Sequence, residues 1–522
     1  MTAADDPPAA TSGAGPATAL EAAFAELDEA QRSGLGDMDP ERFRAAAHAA
    51  VDLMADYLAG VERYPVLPPV APGELRARFP AEPPSGPEPL GQILGDYLRL
   101  VEPNVTHWQH PGFFAYFSTN ASGPGILGEM FMATLVANAM LWRTSPVATE
   151  LEEVTVGWLR RMLGLPDAFD GLFTDTASTS SLIGLAAARQ AVEGRRIAQE
   201  GLAGAGRLRV YCSSEAHSSI EKAAMTLGIG RAGVRRIEVD EEYRMRSELL
   251  TTAIAEDRAG GWVPAGVVAT LGTTSTTSVD PAAALAEIAE RERLWLHVDA
   301  AYAGAAALLP EMRSLFAGWE RADSIVVNPH KWFFAPLDCS LLLTRRPEVV
   351  RDAFSLVPEY LRTLGEAAPV HDFNEYTPQL GRRFRALKMW MLIRYFGVDG
   401  LARRVREHIR LAGLFASWID ADPEMERLAP VPFSTVCFRH VPAALAGRRD
   451  GPGIADQLDR HNEALLDAVN RDGRLFLSHT RLRDRFALRL AVGSLRHDEA
   501  RVAEAWRVIR EIASRPEAGR RD

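Results

Sequence analysis

The chain has 522 residues, 47% hydrophobic and 24% charged, enough for a deep core in roughly two to four domains or one large domain with lobes. Its net charge of −11 argues against nucleic acid or an anionic membrane as the main partner, and no window approaches eighteen uninterrupted apolar residues, so no membrane span is expected. Cys212, Cys339 and Cys437 lie far apart in apolar runs without metal-ligand spacing; they read as small core residues, with no metal and no disulfide, in a reducing cytoplasm.

Residues 1 to about 37 are rich in Pro, Gly and Ala and read as a flexible tail, with neither the basic nor the apolar region of a signal peptide. Asp39-Pro40 reads as a cap and first helical residue. Phe43, Ala47, Ala50, Met54, Tyr57 and Leu58 then recur at helical spacing. Residues 64–89, YPVLPPVAPGELRARFPAEPPSGPEP, carry too many prolines for helix or central strand and must run extended. Such an arm needs a surface, either the chain's own body or a partner subunit.

The middle of the chain alternates strands and helices. Strands are expected at Leu208–Ser213, Val267–Leu271, Leu294–Val298, Ile325–Val327 and Leu341–Leu343. Ser218 with Glu221 reads as a capping box, and Asp280-Pro281 starts a helix to about Glu292. The rhythm implies a mainly parallel sheet with helices on both faces. After about Gly400 helices and shorter strands suggest a smaller lobe.

Of 58 Lys and Arg residues only Lys222, Lys331 and Lys388 are lysine, leaving 55 arginines. Lys331 lies in VVNPHKWFFAP, directly after a strand-like run. Function in parallel sheets collects at the carboxyl ends of strands, and those ends carry a consistent polar set. His217 follows the first strand, Thr274 the second, Asp299 and Ala301 the third, and Asn328, His330 and Lys331 the fourth. Upstream, the stretch Thr176 to Ser181, containing Ala177 and Ser178, leads into a helix. Taken singly, each has a bland explanation as a cap, a packed histidine or a half-exposed lysine. Together they fit pyridoxal 5′-phosphate. A lysine amine can form a Schiff base, which arginine cannot. An aspartate at a neighbouring strand end would keep a pyridine nitrogen protonated. A Ser/Thr-rich helix N-terminus suits a phosphate.

From about Asp39 onward the chain resembles the group II pyridoxal-phosphate decarboxylases of the aromatic-L-amino-acid type. The resemblance rests on THWQHPGFFAYFST, SPVATELE, SSEAHSSIEKA, ATLGTTSTTSVD, LWLHVDAAYAG, NPHKWFFAPLDCS and LGRRFRALKMW. It implies an α/β architecture of the aspartate-aminotransferase kind (fold type I), with a seven-stranded, mainly parallel sheet. It further implies a dimerisation arm over 38–120, a large cofactor domain over 121–398 and a small domain over 399–522. A mobile active-site loop is expected over about 358–380, in a homodimer with its active site at the subunit interface.

Residue by residue, the resemblance makes Lys331 the Schiff-base lysine, Asp299 the pyridinium partner, His217 the stacking histidine and Ala301 the residue beneath the ring. Ala177, Ser178, Asn328 and His330 become neighbours of the phosphate and Thr274 a further cofactor contact. Trp108, Phe117 and Thr119, with His217, line the substrate side. Lys222 and Lys388 match no cofactor position. The implied reaction is decarboxylation of an aromatic L-amino acid to an amine. One position departs from the animal enzymes of the family. Counting back without gaps from LGRRF, a tyrosine that protonates the product is replaced by Phe373, with Tyr376 or His217 as other donors. In some plant relatives a Phe there accompanies an aromatic aldehyde as product, so both outcomes stand, as does a non-aromatic substrate.

Overall fold

The computed structural model describes residues 15–192, 197–356, 370–446 and 453–515. They fall into two compact units, Met1–His110 with Asn470–Phe476, and Pro111–Val469 with Leu477–Asp522.

In the first unit Asp39 accepts a hydrogen bond from the Glu41 N–H at 2.7 Å, Pro40 takes the first helical position, and the helix runs over Pro40–Gly60. None of its 21 residues is buried, and Phe43 and Met54 on its apolar face are exposed. The flexible tail expected over 1–37 is corrected in part. Residues 1–14 lie outside the described residues, but helices occupy Pro16–Ala23 and Glu29–Ser33. The cause is local: Ala, Leu and Glu favour helix there, and Asp28 and Gln31 form a reciprocal capping box at 2.8 and 3.1 Å.

The second unit is built on seven strands, β1 Asp170–Thr174, β2 Arg207–Ser213, β3 Val234–Ile237, β4 Trp262–Thr270, β5 Trp295–Asp299, β6 Ser324–Val327 and β7 Ser340–Thr344. Their spatial order is β1-β7-β6-β5-β4-β2-β3. β7 is antiparallel to both neighbours and every other pairing is parallel. Both faces are covered, which is why the strands read as unbroken apolar runs. On β7, Leu341 and Leu343 belong to the large apolar core that also takes in Leu285 and Ala289 of helix Ala282–Glu292, whereas Leu342 joins the separate cluster with Ile183 and Ala187 of helix Ala177–Gln190. Register aligns Thr270 with Asp299, and Asp299 with Val326. The carboxyl ends of β4, β5 and β6 are therefore level.

Compact division falls after His110, because the FFAYFST stretch is tied to the C-terminal strands: the Ala491 N–H donates to the Phe114 carbonyl at 2.9 Å, and Asn120 Nδ2 to the Gly493 carbonyl at 2.9 Å. Near the second expected boundary the long helix Arg385–Ala421 is broken at Gly397, whose φ of 65° and ψ of 164° are open to glycine. Beyond it, β8 Met425–Arg427, β9 Thr435–His440, β10 Ser478–Leu482 and β11 Arg485–Ala491 form an antiparallel sheet in the order β10-β11-β9-β8. All three cysteines are buried and free. Among the described residues no helix is long and apolar enough to cross a membrane.

Burial holds the imidazoles of His297, His330 and His408 down to about 4, and that of His497 well below its ordinary value. Unfolding returns them toward 6.5, so between about 6.5 and 4 the unfolded chain binds protons that the folded chain refuses. Their contribution is complete above pH 6.5 and is lost as pH falls toward 4; Asp280, pushed up by burial to about 7, opposes with one proton. The melting temperature should fall from pH 6.5 to about 4 in calorimetry. His408→Gln, which keeps an acceptor for Trp332 Nε1 (2.9 Å), should make the fall shallower; an unchanged slope would refute a neutral His408.

Candidate active site

Lys331 is presented by one short helical turn, Pro329–Trp332, that follows β6 with Asn328 at its N-cap and proline at its first position. The Asn328 carbonyl accepts the Lys331 N–H at 3.0 Å, and the Asn328 N–H donates to the Ala301 carbonyl at 3.0 Å, so the lysine is tied to the residue beyond the end of β5. Its Nζ stands 5.2 Å from the centre of the Phe117 ring, and the Arg489 guanidinium stands 4.5 Å from the same ring. Burial lowers the Lys331 amine below its usual range; Asp299 pulls it back up, and Arg489 adds to the fall. Asp299, at the last position of β5, is buried and accepts the Ala301 N–H at 3.1 Å.

His217 follows β2. Its Nδ1 accepts the Ser219 N–H at 3.2 Å and meets Ser219 Oγ at 2.9 Å, which leaves the ring proton on Nε2 in the neutral form. This corrects the capping box expected at Ser218 and Glu221. Ser218 makes no cap hydrogen bond because its backbone is already helical (φ −58°, ψ −16°) rather than extended, and Glu221 turns to Arg236 at 2.9 Å. The His217 imidazole is held below its ordinary pKa by lost hydration first, with Lys331 and Lys222 adding to the fall and Asp299 opposing it.

A cavity of about 300 Å³ brings together Phe117, His217, Thr274, Lys331, Arg489 and the start of β10. An aromatic column backs it. Phe117 stacks on Tyr302 at 3.7 Å, and Tyr302 on Trp332 at 4.6 Å. Several buried polar atoms near the strand ends lack a protein partner: Ser213 Oγ, Thr270 Oγ1, Asn328 Oδ1 and Arg489 Nη2. Helix Ala177–Gln190 begins with no side-chain cap, leaving the N–H groups at Ala177 and Ser178 without one. A sheddable amine proton, a carboxylate one strand away and an uncapped helix start are what a phosphorylated pyridine aldehyde requires. Unsatisfied buried polar atoms mark room for such a group.

His330 is locked as a neutral ring, with its Nδ1 accepting the Cys339 N–H at 3.1 Å. Ala301 is buried, and Thr119 is half-buried between Ser118 and Asn120. Trp108 belongs to the first compact unit, where its N–H donates to the Thr106 carbonyl at 3.0 Å. Of the expected mobile loop, residues 358–369 lie outside the described residues.

Phe373 lies apart from the cavity. It opens the short turn Phe373–Tyr376 and is only 4% exposed, packed with Leu172, Ile183, Leu342 and Val350. The Arg382 guanidinium lies 4.6 Å from its ring and donates to Glu152 at 2.6 Å. Phe373 does not line the cavity that holds Lys331, and Tyr376 packs against the same apolar cluster. A gapless count fixes a residue's place in the chain but not the direction its side chain takes.

Arg489, Tyr116 and the Ser478–Thr480 strand start also reach the cavity. A signal for Arg489 was present: it interrupts FALRLAV, a strand otherwise apolar, at a position 3% exposed. Its Nη1 donates to the Tyr116 carbonyl at 2.6 Å and its Nε to the Ser275 carbonyl at 3.1 Å. Among the described residues no group of three His, Cys, Asp or Glu could hold a metal ion.

Residues 72–441 match the pyridoxal-dependent decarboxylase conserved domain. Tyrosine decarboxylase 4 of Petroselinum crispum is 40% identical over 92% of this chain and 94% of its own length. Phenylacetaldehyde synthase of Arabidopsis thaliana is 41% identical over 92% of this chain and 97% of its own. A crystal structure of Oryza sativa TDC with PLP and tryptamine superposes with a TM-score of 0.88 at 36% identity, covering 92% of this chain and 99% of that one. The chain therefore belongs to the pyridoxal-dependent decarboxylases, carboxy-lyases of fold type I whose cofactor is pyridoxal 5′-phosphate.

Proposed function

We propose that this enzyme decarboxylates an aromatic L-amino acid to the corresponding amine. The observation that carries the reading is the Lys331 amine, 5.2 Å over Phe117, in a cavity backed by the Tyr302 and Trp332 rings. Relatives named for tyrosine and tryptophan as substrates support it. The cofactor supplies an aldehyde that bonds reversibly to amines and a ring that takes up the electrons left when carbon dioxide departs. Lys331 holds and releases it, its lowered pKa keeping a larger share of nucleophilic free amine. The Asp299 carboxylate would keep a proton on the ring nitrogen. Ala177, Ser178, Asn328 and His330 would hold the phosphate, with Thr274 and Ala301 as further cofactor contacts. His217, neutral with its proton on Nε2, shares the cavity with Lys331 and would be the group able to hand a proton to the product carbon. Phe117 and Thr119 form the substrate side, and Arg489 offers its unpartnered Nη2 to a carboxylate.

The enzyme works as a homodimer in a reducing cytoplasm. Leu127, Phe131 and Leu135 stand exposed at four-residue spacing on helix Gly123–Leu135, and helix Pro40–Gly60 buries none of its residues. Surfaces of that kind call for a second copy. Three free cysteines suit that compartment.

Purified enzyme should be yellow, and Lys331→Ala should fold yet lose the colour; a coloured variant would sink the assignment. Incubation with each aromatic amino acid should yield amine without peroxide, whereas aldehyde, ammonia and peroxide would establish the oxidative outcome instead. Phe373→Ala should cost about 3–5 kcal/mol of stability through the cavity it leaves. Phe373→Tyr should cost about 1–3 kcal/mol by burying a hydroxyl without changing the product. A switch of product in Phe373→Tyr would restore that position to the chemistry. In light scattering the wild type should show twice the chain mass and Leu127→Asp/Phe131→Asp the single mass; an active wild-type monomer would contradict the dimer.

A further inference from the structure

Lys388 is the third lysine of an arginine-rich chain, and it is entirely buried, at 0% exposure, on helix Arg385–Ala421. Its Nζ donates to the Pro336 carbonyl at 3.1 Å, to the Asp338 carbonyl at 2.7 Å and to the Glu129 carboxylate. Three acceptors meet the three donors of an ammonium. The other Glu129 oxygen takes Arg383 at 2.5 Å, and Arg385 Nε donates to Asp338 at 2.8 Å. Helix Gly123–Leu135 reaches this place only because residue 128 is glycine: a Cβ there would stand 2.5 Å from Lys388 Cα.

The two carbonyls that Lys388 grips belong to the turn leaving Lys331. The base of that turn is closed by His330 and Cys339, through His330 N–H to the Cys339 carbonyl at 3.2 Å and Cys339 N–H to His330 Nδ1 at 3.1 Å. Inside it, the Ala335 N–H donates to the Pro329 carbonyl at 3.1 Å, and the Ser122 N–H to the Phe334 carbonyl at 3.3 Å. Phe334 holds a φ of 63° while fully buried, a conformation that a bulky residue keeps only where its surroundings enforce it. The far end of the turn has Lys388 as its holder.

We propose that Lys388 is a positioning residue for Lys331, its ammonium clamping the 333–338 turn so that the neighbouring lysine stands at a fixed height against Asp299 and Phe117. The inference rests on the assignment of Lys331 as the cofactor lysine. It also accounts for lysine rather than arginine, since a planar guanidinium does not fit a space sized for one tetrahedral nitrogen.

Lys388→Met, Lys388→Arg, Glu129→Gln and Lys331→Ala, each in the full chain, separate the possibilities. The readouts are the visible absorbance of bound pyridoxal 5′-phosphate, its pH midpoint, the cofactor dissociation constant, and the rise in melting temperature when cofactor is added to apoprotein. Lys388→Met should weaken cofactor binding about tenfold and move the pH midpoint by about one unit, the scale of losing a group that orients a reactive one. The cofactor-induced rise in melting temperature should shrink accordingly. Lys388→Arg should not rescue it. A Lys388→Met protein with a lower apoprotein melting temperature but wild-type midpoint, binding and cofactor-induced rise would make Lys388 a staple of the fold and overturn the proposal. If Lys388→Met does not fold, Glu129→Gln decides: a smaller shift of the midpoint in it supports the clamp, and no shift overturns it. Wild-type absorbance in Lys331→Ala would instead overturn the assignment on which the inference rests.

Discussion

A cation enclosed at the edge of a parallel sheet is costly unless it finds partners or gives up its proton, and the second unit is organised around that constraint. Level strand ends put Asp299 beside the turn that carries Lys331. Burial pushes the amine toward its neutral form while Asp299 pulls the other way. A lysine that must both hold and release a partner requires that balance. Arginine, which keeps its proton at any physiological pH, could not take part.

Arg489 faces the same constraint without the same escape. It is 3% exposed, its contacts are to the Ser275 and Tyr116 carbonyls and the Ser478 hydroxyl, and Nη2 lacks a protein partner. One ring, Phe117, receives both cations, Lys331 at 5.2 Å and Arg489 at 4.5 Å. The ring face offsets part of the lost hydration, but it does not neutralise two positive groups. Arg489 has no carboxylate among the groups that act on it, so an anion reaching its Nη2 relieves a penalty already built into the fold. Binding strengthened in this way needs no rearrangement of the protein.

Much of this was legible in the sequence. Strands β4 to β7 announce themselves as apolar runs because both faces of the sheet are covered, and the polar residues at their ends stand out against such runs. What was not legible follows from contacts between distant parts of the chain. Arg489 reaches the cavity from a strand that begins more than 150 residues after Lys331, held there by long-range bonds such as those from Ala491 to Phe114 and from Arg489 to Tyr116. The Ser218 box had the right spacing, but Ser218 holds helical backbone angles and Glu221 pairs with Arg236. Gln31 and Asp28 ordered a segment whose composition reads as disordered. Phe373 shows the limit most clearly, since a correct position in the chain gave no hint that its ring turns into the core beneath Arg382.

Two of the three lysines, read together, show how a chain that spells nearly all its cations as arginine uses the exceptions. Lys331 stands where few protein groups accept its protons, and Lys388 where three acceptors converge. They lie at opposite ends of one turn, and the same compactness serves opposite purposes, because a small tetrahedral amine can be freed of its proton at one end and saturated with acceptors at the other. The scarcity of lysine marks both positions, but only the surroundings distinguish them. The reactive lysine is the one whose partners are too few.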